Sequence, residues 1–214
     1  LSDAAYSTAW FSYYRTLKQR NKVLKDRDLN ELDTWSNKLS ALGTILSDKR
    51  EHFFNQTKNS YDNIVQSLGL TSEKKFIKDL RFEYYKGWED EVSLEQTFEL
   101  EKDNDIRRRV TTKGPHKSDI KVFISNAEAK EILSRGEQKL LSIIWLCAQH
   151  ETLRSLYRIK PTLLIDDVKS ELDNSTFNIF ISLLKLIQNQ IIFSNIEDQI
   201  NSKIEAELIT IKKF

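Results

Sequence analysis

Cysteine, methionine and closely spaced glycine are what this chain is short of. Its 214 residues hold one cysteine, five glycines, two prolines and no methionine. A lone thiol cannot form an intrachain disulfide, and Cys147 lies inside an apolar stretch, so the composition reads as that of a protein from a reducing compartment, the cytoplasm. The glycines stand at 43, 69, 87, 114 and 136, no two closer than 18 positions. The phosphate-cradling G-x-x-x-x-G-K-[ST] loop and the dinucleotide G-x-G-x-x-G both need close spacing, so neither can be assembled from them. The apolar runs around residues 140–148 and 179–187 are short and interrupted, too short for a bilayer span, and the opening residues lack a signal-peptide pattern. An excess of one charge is missing too: 33 Lys and Arg against 32 Asp and Glu leave +1. Any polyanion must therefore be met by a local patch. With no methionine even at position 1, the chain is expected to begin partway through a longer protein, and its length suits one core with an extension.

Two stretches carry the chemistry that is present. Leu163-Leu164-Ile165-Asp166-Asp167-Val168 is an apolar run ending in paired carboxylates, the pattern of a buried parallel strand delivering acids at its C-terminal edge, a Walker B arrangement. It continues into Ser170-Glu171-Leu172-Asp173. Ahead of it, Leu133-Ser134-Arg135-Gly136-Glu137-Gln138-Lys139 opens a long apolar helix with a hydroxyl, a Cβ-free backbone and unpaired helix N–H groups, where an anion can dock. Ser134 with Glu137 also reads as an ordinary capping box. Walker B without Walker A looks like half of an ATPase.

Around these stretches the pattern predicts a mixed α/β chain. Tyr6, Trp10, Tyr13, Leu17 and Leu24 form a heptad seam with Arg20 in the gap, and Arg15, Lys18, Arg20, Lys22, Lys25 and Arg27 are assigned to the outer face, either a phosphate-contacting stripe or a solvated one. Asp28 and Glu31 suggest a capping box for a second helix with seam residues Leu32, Trp35, Leu39, Leu42, Leu46 and Phe53, then Tyr61, Ile64 and Leu68, ending at Gly69. Residues 1–79 are thus expected to be a helical hairpin arm. Alternation predicts a strand at 80–85, a helix over 93–106, and a hairpin in which the Gly114–Asp119 turn joins Val110-Thr111-Thr112 to a strand at 120–124. His116 reads as a structural turn residue. A helix from about 136 to 156, the Walker B strand, a helix over 174–189 and a strand at 190–194 make a βαβ unit, and a last strand is expected at 207–212.

Thr8-Ala9-Trp10, Leu17-Lys18-Gln19-Arg20-Asn21, Gly114-Pro115-His116-Lys117, Leu133–Lys139 and the Walker B region with Ser170–Asp173 together resemble the RecF family of bacterial recombination and repair ATPases, relatives of ABC and SMC heads. The resemblance implies a helical arm (lobe II) at 1–79 and, at 80–214, the C-terminal half of an ABC/SMC-like P-loop ATPase head. The Walker A lobe has no counterpart here. It further implies a slow ATPase in the complete protein, using ATP and Mg²⁺, inactive as this piece alone. ATP would join two copies as a homodimer clamp on DNA at double-strand to single-strand gap junctions. There it would assist RecO and RecR in loading recombinase in DNA replication, recombination, repair and the SOS response, with no membrane partner.

Residue by residue, the resemblance assigns Asp166 to Mg²⁺ through water, since a hard cation takes oxygen ligands, and Asp167 to the attacking water as catalytic carboxylate. It assigns Ser134, Arg135, Gly136 and Lys139 to nucleotide bound by the opposite subunit, Asp173 to the D-loop and Ser194 to the switch position. Arg15, Lys18, Lys22, Arg107, Arg108 and Arg109 are the expected DNA contacts. The alternative is a nonenzymatic interaction module in which the arm binds a partner and the head is scaffold.

Overall fold

The computed structural model describes residues 4–165, 172–186 and 190–193. These fall into two compact units, each made of two stretches: 1–56 with 80–126, and 57–79 with 127–214. Both units therefore draw on both sides of position 80.

In the first unit, helix α1 (Ala4–Asp26) and the long helix α2 (Leu32–Ser67) run antiparallel, as the seam predicts. Arg20 bonds Ser36 while Arg50 approaches Tyr6, a pairing that advances in opposite directions along the two helices. Gly43 permits the close approach: a Cβ there would lie 3.1 Å from the Tyr13 ring and 2.5 Å from Leu94. The seam itself buries Tyr13, Leu17, Leu39 and Leu46 with Trp88, Leu94 and Phe98, while Tyr6, Trp10, Tyr14 and Leu42 pack at its margin. The start of α2 differs from expectation. Residues Leu29–Glu31 form a short 3₁₀ turn, Asp28 makes no side-chain cap, and Glu31 instead accepts from the Trp35 indole at 3.0 Å.

Strand β1 (Leu80–Tyr85) pairs antiparallel with β2 (Asp119–Ile124), Leu80 opposite Ile124 and Tyr85 opposite Asp119. Residues 110–112 form no strand. They stay irregular because their polar groups are drawn into bonds with α1 and α4, as shown below, leaving β2 to pair with the more distant β1. The expected single helix over 93–106 is two helices, α3 (Leu94–Leu100) and α4 (Lys102–Arg108), meeting at Glu101. Ser93 and Gln96 close a full capping box at the start of α3.

The second unit begins with the end of α2, which stops at Gly69 in the left-handed conformation (φ 59°). Its centre is helix α5 (Arg135–Tyr157), which buries Leu140, Leu141, Ile143, Ile144, Cys147 and Ala148. Tyr61 of α2 lies against Trp145, ring centroids 6.1 Å apart, and Ser60 bonds Thr152 at 2.9 Å. Strand β3 (Leu163–Ile165), helix α6 (Asn174–Leu186) and strand β4 (Ile191–Phe193) complete it. The strands are parallel with Leu163 opposite Ile191, so this is the predicted βαβ unit, with Phe177, Phe180, Ile181 and Leu184 of α6 buried. The expected strand at 207–212 lies outside the described residues.

Candidate nucleotide and nucleic-acid sites

Ser134 is the N-cap of α5. Its hydroxyl accepts from the Glu137 N–H at 3.4 Å and donates to Glu137 Oε2 at 2.7 Å, while the Ser134 N–H donates to the same carboxylate at 2.9 Å. The capping-box reading of this stretch is present: an exposed helix start locked by a reciprocal cap. Gln138 holds the preceding loop, donating to the carbonyls of Leu133 (2.8 Å) and Lys130 (3.1 Å). Arg135 is exposed, and Gly136 and Lys139 are half-buried.

The donor set suits an anion. The positive end of a 23-residue helix and the Ser134 hydroxyl lie there, and the exposed Arg135 is the first residue of that helix. An incoming phosphate takes the Ser134 proton only by displacing the Glu137 carboxylate. Asp173, expected in the D-loop, caps α6: its carboxylate accepts from the Thr176 N–H at 2.7 Å, and that bond holds its pKa below the usual carboxylate range. Asp166, Asp167 and Ser194 lie outside the described residues.

In the first unit the Gly114–Ser118 segment is a hub. Gly114 (φ 126°) donates its N–H to the Gly87 carbonyl at 3.1 Å; Gly87 is itself at φ 104°, and a Cβ on it would lie 2.1 Å from the Gly114 oxygen. Arg50 of α2 donates to the Pro115 carbonyl (2.6 Å) and the Ser118 hydroxyl (2.9 Å). His116 bridges the Thr111 carbonyl through Nε2 (3.0 Å) and the Tyr13 hydroxyl through Nδ1 (2.8 Å). A carbonyl only accepts, so Nε2 carries the proton and Nδ1 accepts from Tyr13. Burial lowers the His116 pKa, favouring this neutral form, and burial raises that of Tyr13. The residue is structural, as its setting in a turn suggested.

Arg20 corrects the sequence reading. It is wholly buried rather than on the outer face. Its Nη1 donates to Asp105 Oδ2 and Thr111 Oγ1, each at 2.7 Å, its Nε to Ser36 at 2.9 Å, and its guanidinium stacks 4.7 Å from the centre of the Phe98 ring. Asp105 is equally buried, and its other oxygen accepts from the Thr112 N–H (2.8 Å) and hydroxyl (2.6 Å). The signal was available: Arg20 falls in phase with Tyr13, Leu17 and Leu24, and a cation at a seam position needs a buried acid. Arg15, Lys18 and Lys22 do lie exposed on α1, and Arg107, Arg108 and Arg109 lie exposed at the end of α4. Among the described residues no cluster of His, Cys, Asp and Glu could hold a metal, and no helix is long and apolar enough to cross a membrane.

A helical hairpin, a serine-capped helix and a βαβ unit make up a mixed α/β fold. Two solved structures share it: those of the recombination mediator protein RecF with ATP and with ATPrS, at TM-scores of 0.72 and 0.73 and 23% and 22% identity. Each covers 92% of this chain, and the chain covers 54% and 55% of theirs. Among curated proteins, the chain is similar to the DNA replication and repair protein RecF of Hahella chejuensis (30% identical, 92% of this chain and 56% of the relative). It is also similar to those of Pseudoalteromonas translucida (31%, 87% and 51%) and Vibrio cholerae (32%, 81% and 46%). No family model matches. The chain is similar to RecF proteins over most of its own length and spans about half the length of the curated relatives it matches.

Proposed function

We propose that this chain is the arm, signature and Walker B portion of an ATP-dependent DNA-binding protein of recombinational repair. The observation that carries the reading is the exposed start of α5, where Ser134 is the N-cap and Arg135 the first residue of a 23-residue helix whose positive end attracts anions. Ser134, Arg135 and the Gly136 amide face the triphosphate held by a second copy, with Lys139 bracing the loop. Asp166 would hold Mg²⁺, which would supply Lewis-acid charge at the phosphates, and Asp167 would orient the attacking water, with Asp173 in the loop toward the second copy and Ser194 at the switch position. Bound ATP supplies the negative charge that joins two copies. The exposed cations Arg15, Lys18, Lys22 and Arg107–Arg109 contact the DNA backbone; DNA gap junctions and the RecO and RecR proteins are the partners.

The test is to combine this chain with a lobe carrying a glycine-rich phosphate loop from a RecF relative and to measure ATP hydrolysis. Activity that disappears in Asp167→Asn is the expected result. A stable complex that never hydrolyses ATP would contradict it and favour the interaction-module alternative.

A further inference from the structure

Between Ala4 and Lys25, α1 contains no carboxylate, yet it holds Arg15, Lys18, Arg20, Lys22 and Lys25. With Arg20 buried, the other four recur at steps of three and four and share one exposed stripe. At about 1.5 Å per residue the stripe is about 15 Å long. Asn21 lies between this stripe and the buried line of Tyr13, Leu17, Arg20 and Leu24. Its side-chain oxygen accepts from the Thr111 N–H at 2.8 Å and the Thr111 hydroxyl at 2.7 Å. The chain arriving at Thr111 therefore meets α1 on the flank of the stripe.

What arrives is Arg107-Arg108-Arg109-Val110. Arg109 adopts φ 57° to end α4, and the Val110 N–H bonds the carbonyl of Asp105, the buried partner of Arg20. The contacts that bury Arg20 thus also bring a triple-arginine turn beside the α1 stripe. None of these seven exposed cations forms an ion pair among the described residues; Arg107 donates only to the neutral Asn104. Other cations of the same unit are neutralised, Lys86 by Asp90, Lys102 by Asp33 and Lys113 by Glu89.

We propose that the α1 stripe and the 107–109 turn form one continuous phosphate-tracking strip, with Asn21 and Thr111 as positioning residues that hold its two halves together. This rests on the DNA-contact reading above and names the face that makes the contact. Along the axis of a duplex the phosphates of one strand advance about 3.4 Å per nucleotide, so a stripe lying along that axis spans about four of them. Like charges held side by side repel, and the Asn21–Thr111 and Arg20–Asp105 bonds offset that repulsion until a nucleic-acid backbone neutralises it.

The test measures binding of a short fluorescent mixed-sequence duplex to this chain as a function of salt. Removing one contacting cation makes the slope of log K against log salt shallower by about 0.9. Lys22→Gln and Arg108→Gln are each expected to do so. In an Asn21→Ala background the Arg108→Gln effect should shrink while that of Lys22→Gln persists. Spin labels at K18C and R108C, with Cys147→Ala, should give one narrow distance that broadens in N21A. A slope that responds to Lys22→Gln but not to Arg108→Gln overturns the continuous strip, as does an unchanged Arg108→Gln effect in N21A. A parent that binds no duplex at low salt overturns the DNA-contact reading itself. Should N21A fail to fold, the exposed triple variant R107Q/R108Q/R109Q decides alone: a slope shallower by about 2.7 supports the strip, and an unchanged one overturns it.

Discussion

Helices α1 and α5 have the same length, 23 residues, and hold their surroundings in opposite ways. The α5 core is mainly apolar, with Leu140, Ile144 and Ala148 fully buried; its start is fixed by the Ser134–Glu137 box, and Thr152 near its end bonds Ser60. The α1 face carries a charge into the core, and Arg20 reaches Ser36, Asp105 and Thr111 from one side chain. Apolar burial rewards any arrangement that excludes water, whereas a buried ion pair with its hydrogen bonds tolerates one geometry. The first unit, which carries the cationic strip, is thus pinned by a directional network. In the second unit α5 is held chiefly by apolar burial, with polar bonds at Ser134 and at Thr152.

Breaking the network separates the two regimes most sharply. Asp105→Ala or Arg20→Ala leaves its partner charged and buried, and should cost about 3–5 kcal/mol in denaturant unfolding. Replacing both partners by leucine or methionine should cost far less than either single loss while loosening the 107–112 segment, which amide exchange would report. In α5, Ile144→Ala should cost about 2–5 kcal/mol through its cavity alone, and no second substitution of a charged partner should restore the loss.

Gly114→Ala tests the hub. A Cβ at φ 126° would lie 2.8 Å from the Tyr13 hydroxyl, and a loss of about 1–3 kcal/mol is expected. The hub should also respond to pH. Burial depresses the folded-state pKa of His116, so the unfolded chain binds its proton more readily. The stability contribution is therefore complete above about pH 6.5 and falls away as pH drops through the lower folded value. Thermal melts between neutral and mildly acidic pH should show this slope, and His116→Gln should flatten it, leaving the remainder from His150, whose pKa burial also depresses. Smaller still, Ser134→Ala should cost about 1 kcal/mol as a lost cap. Glu137→Gln should keep the cap yet raise nucleotide affinity of the completed ATPase, because the carboxylate that competes for the Ser134 proton is gone.

Periodicity exposed the helices and the βαβ unit because α2, α5 and α6 bury faces at regular spacing and the apolar run at Leu163–Ile165 pairs with Ile191–Phe193. It missed what is held by side-chain bonds across long separations. Residues 110–112 alternate like a strand, but Thr111 and Thr112 bond Arg20, Asn21 and Asp105 instead of a neighbouring strand. Arg20 was placed outside because arginine is seldom buried, and its partner lies 85 positions away. Likewise Glu31 went to Trp35 rather than to a cap. Of the candidate site, the Ser134 cap was visible as a four-residue pattern, whereas the joining of Arg107–Arg109 to the α1 stripe depends on Asn21 meeting Thr111, which no local pattern encodes.

The central claim is that the start of α5 completes an ATP site on a second copy. With the phosphate-loop lobe supplied, Ser134→Arg and Asp167→Asn variants should each be inactive alone, since each spoils both sites of its own dimer. Mixed together they form dimers with one site spoiled twice and one intact, so ATP hydrolysis should return on mixing. A mixture that dimerises with ATP and stays silent would place Ser134 and Asp167 of one copy in the same site and contradict the account.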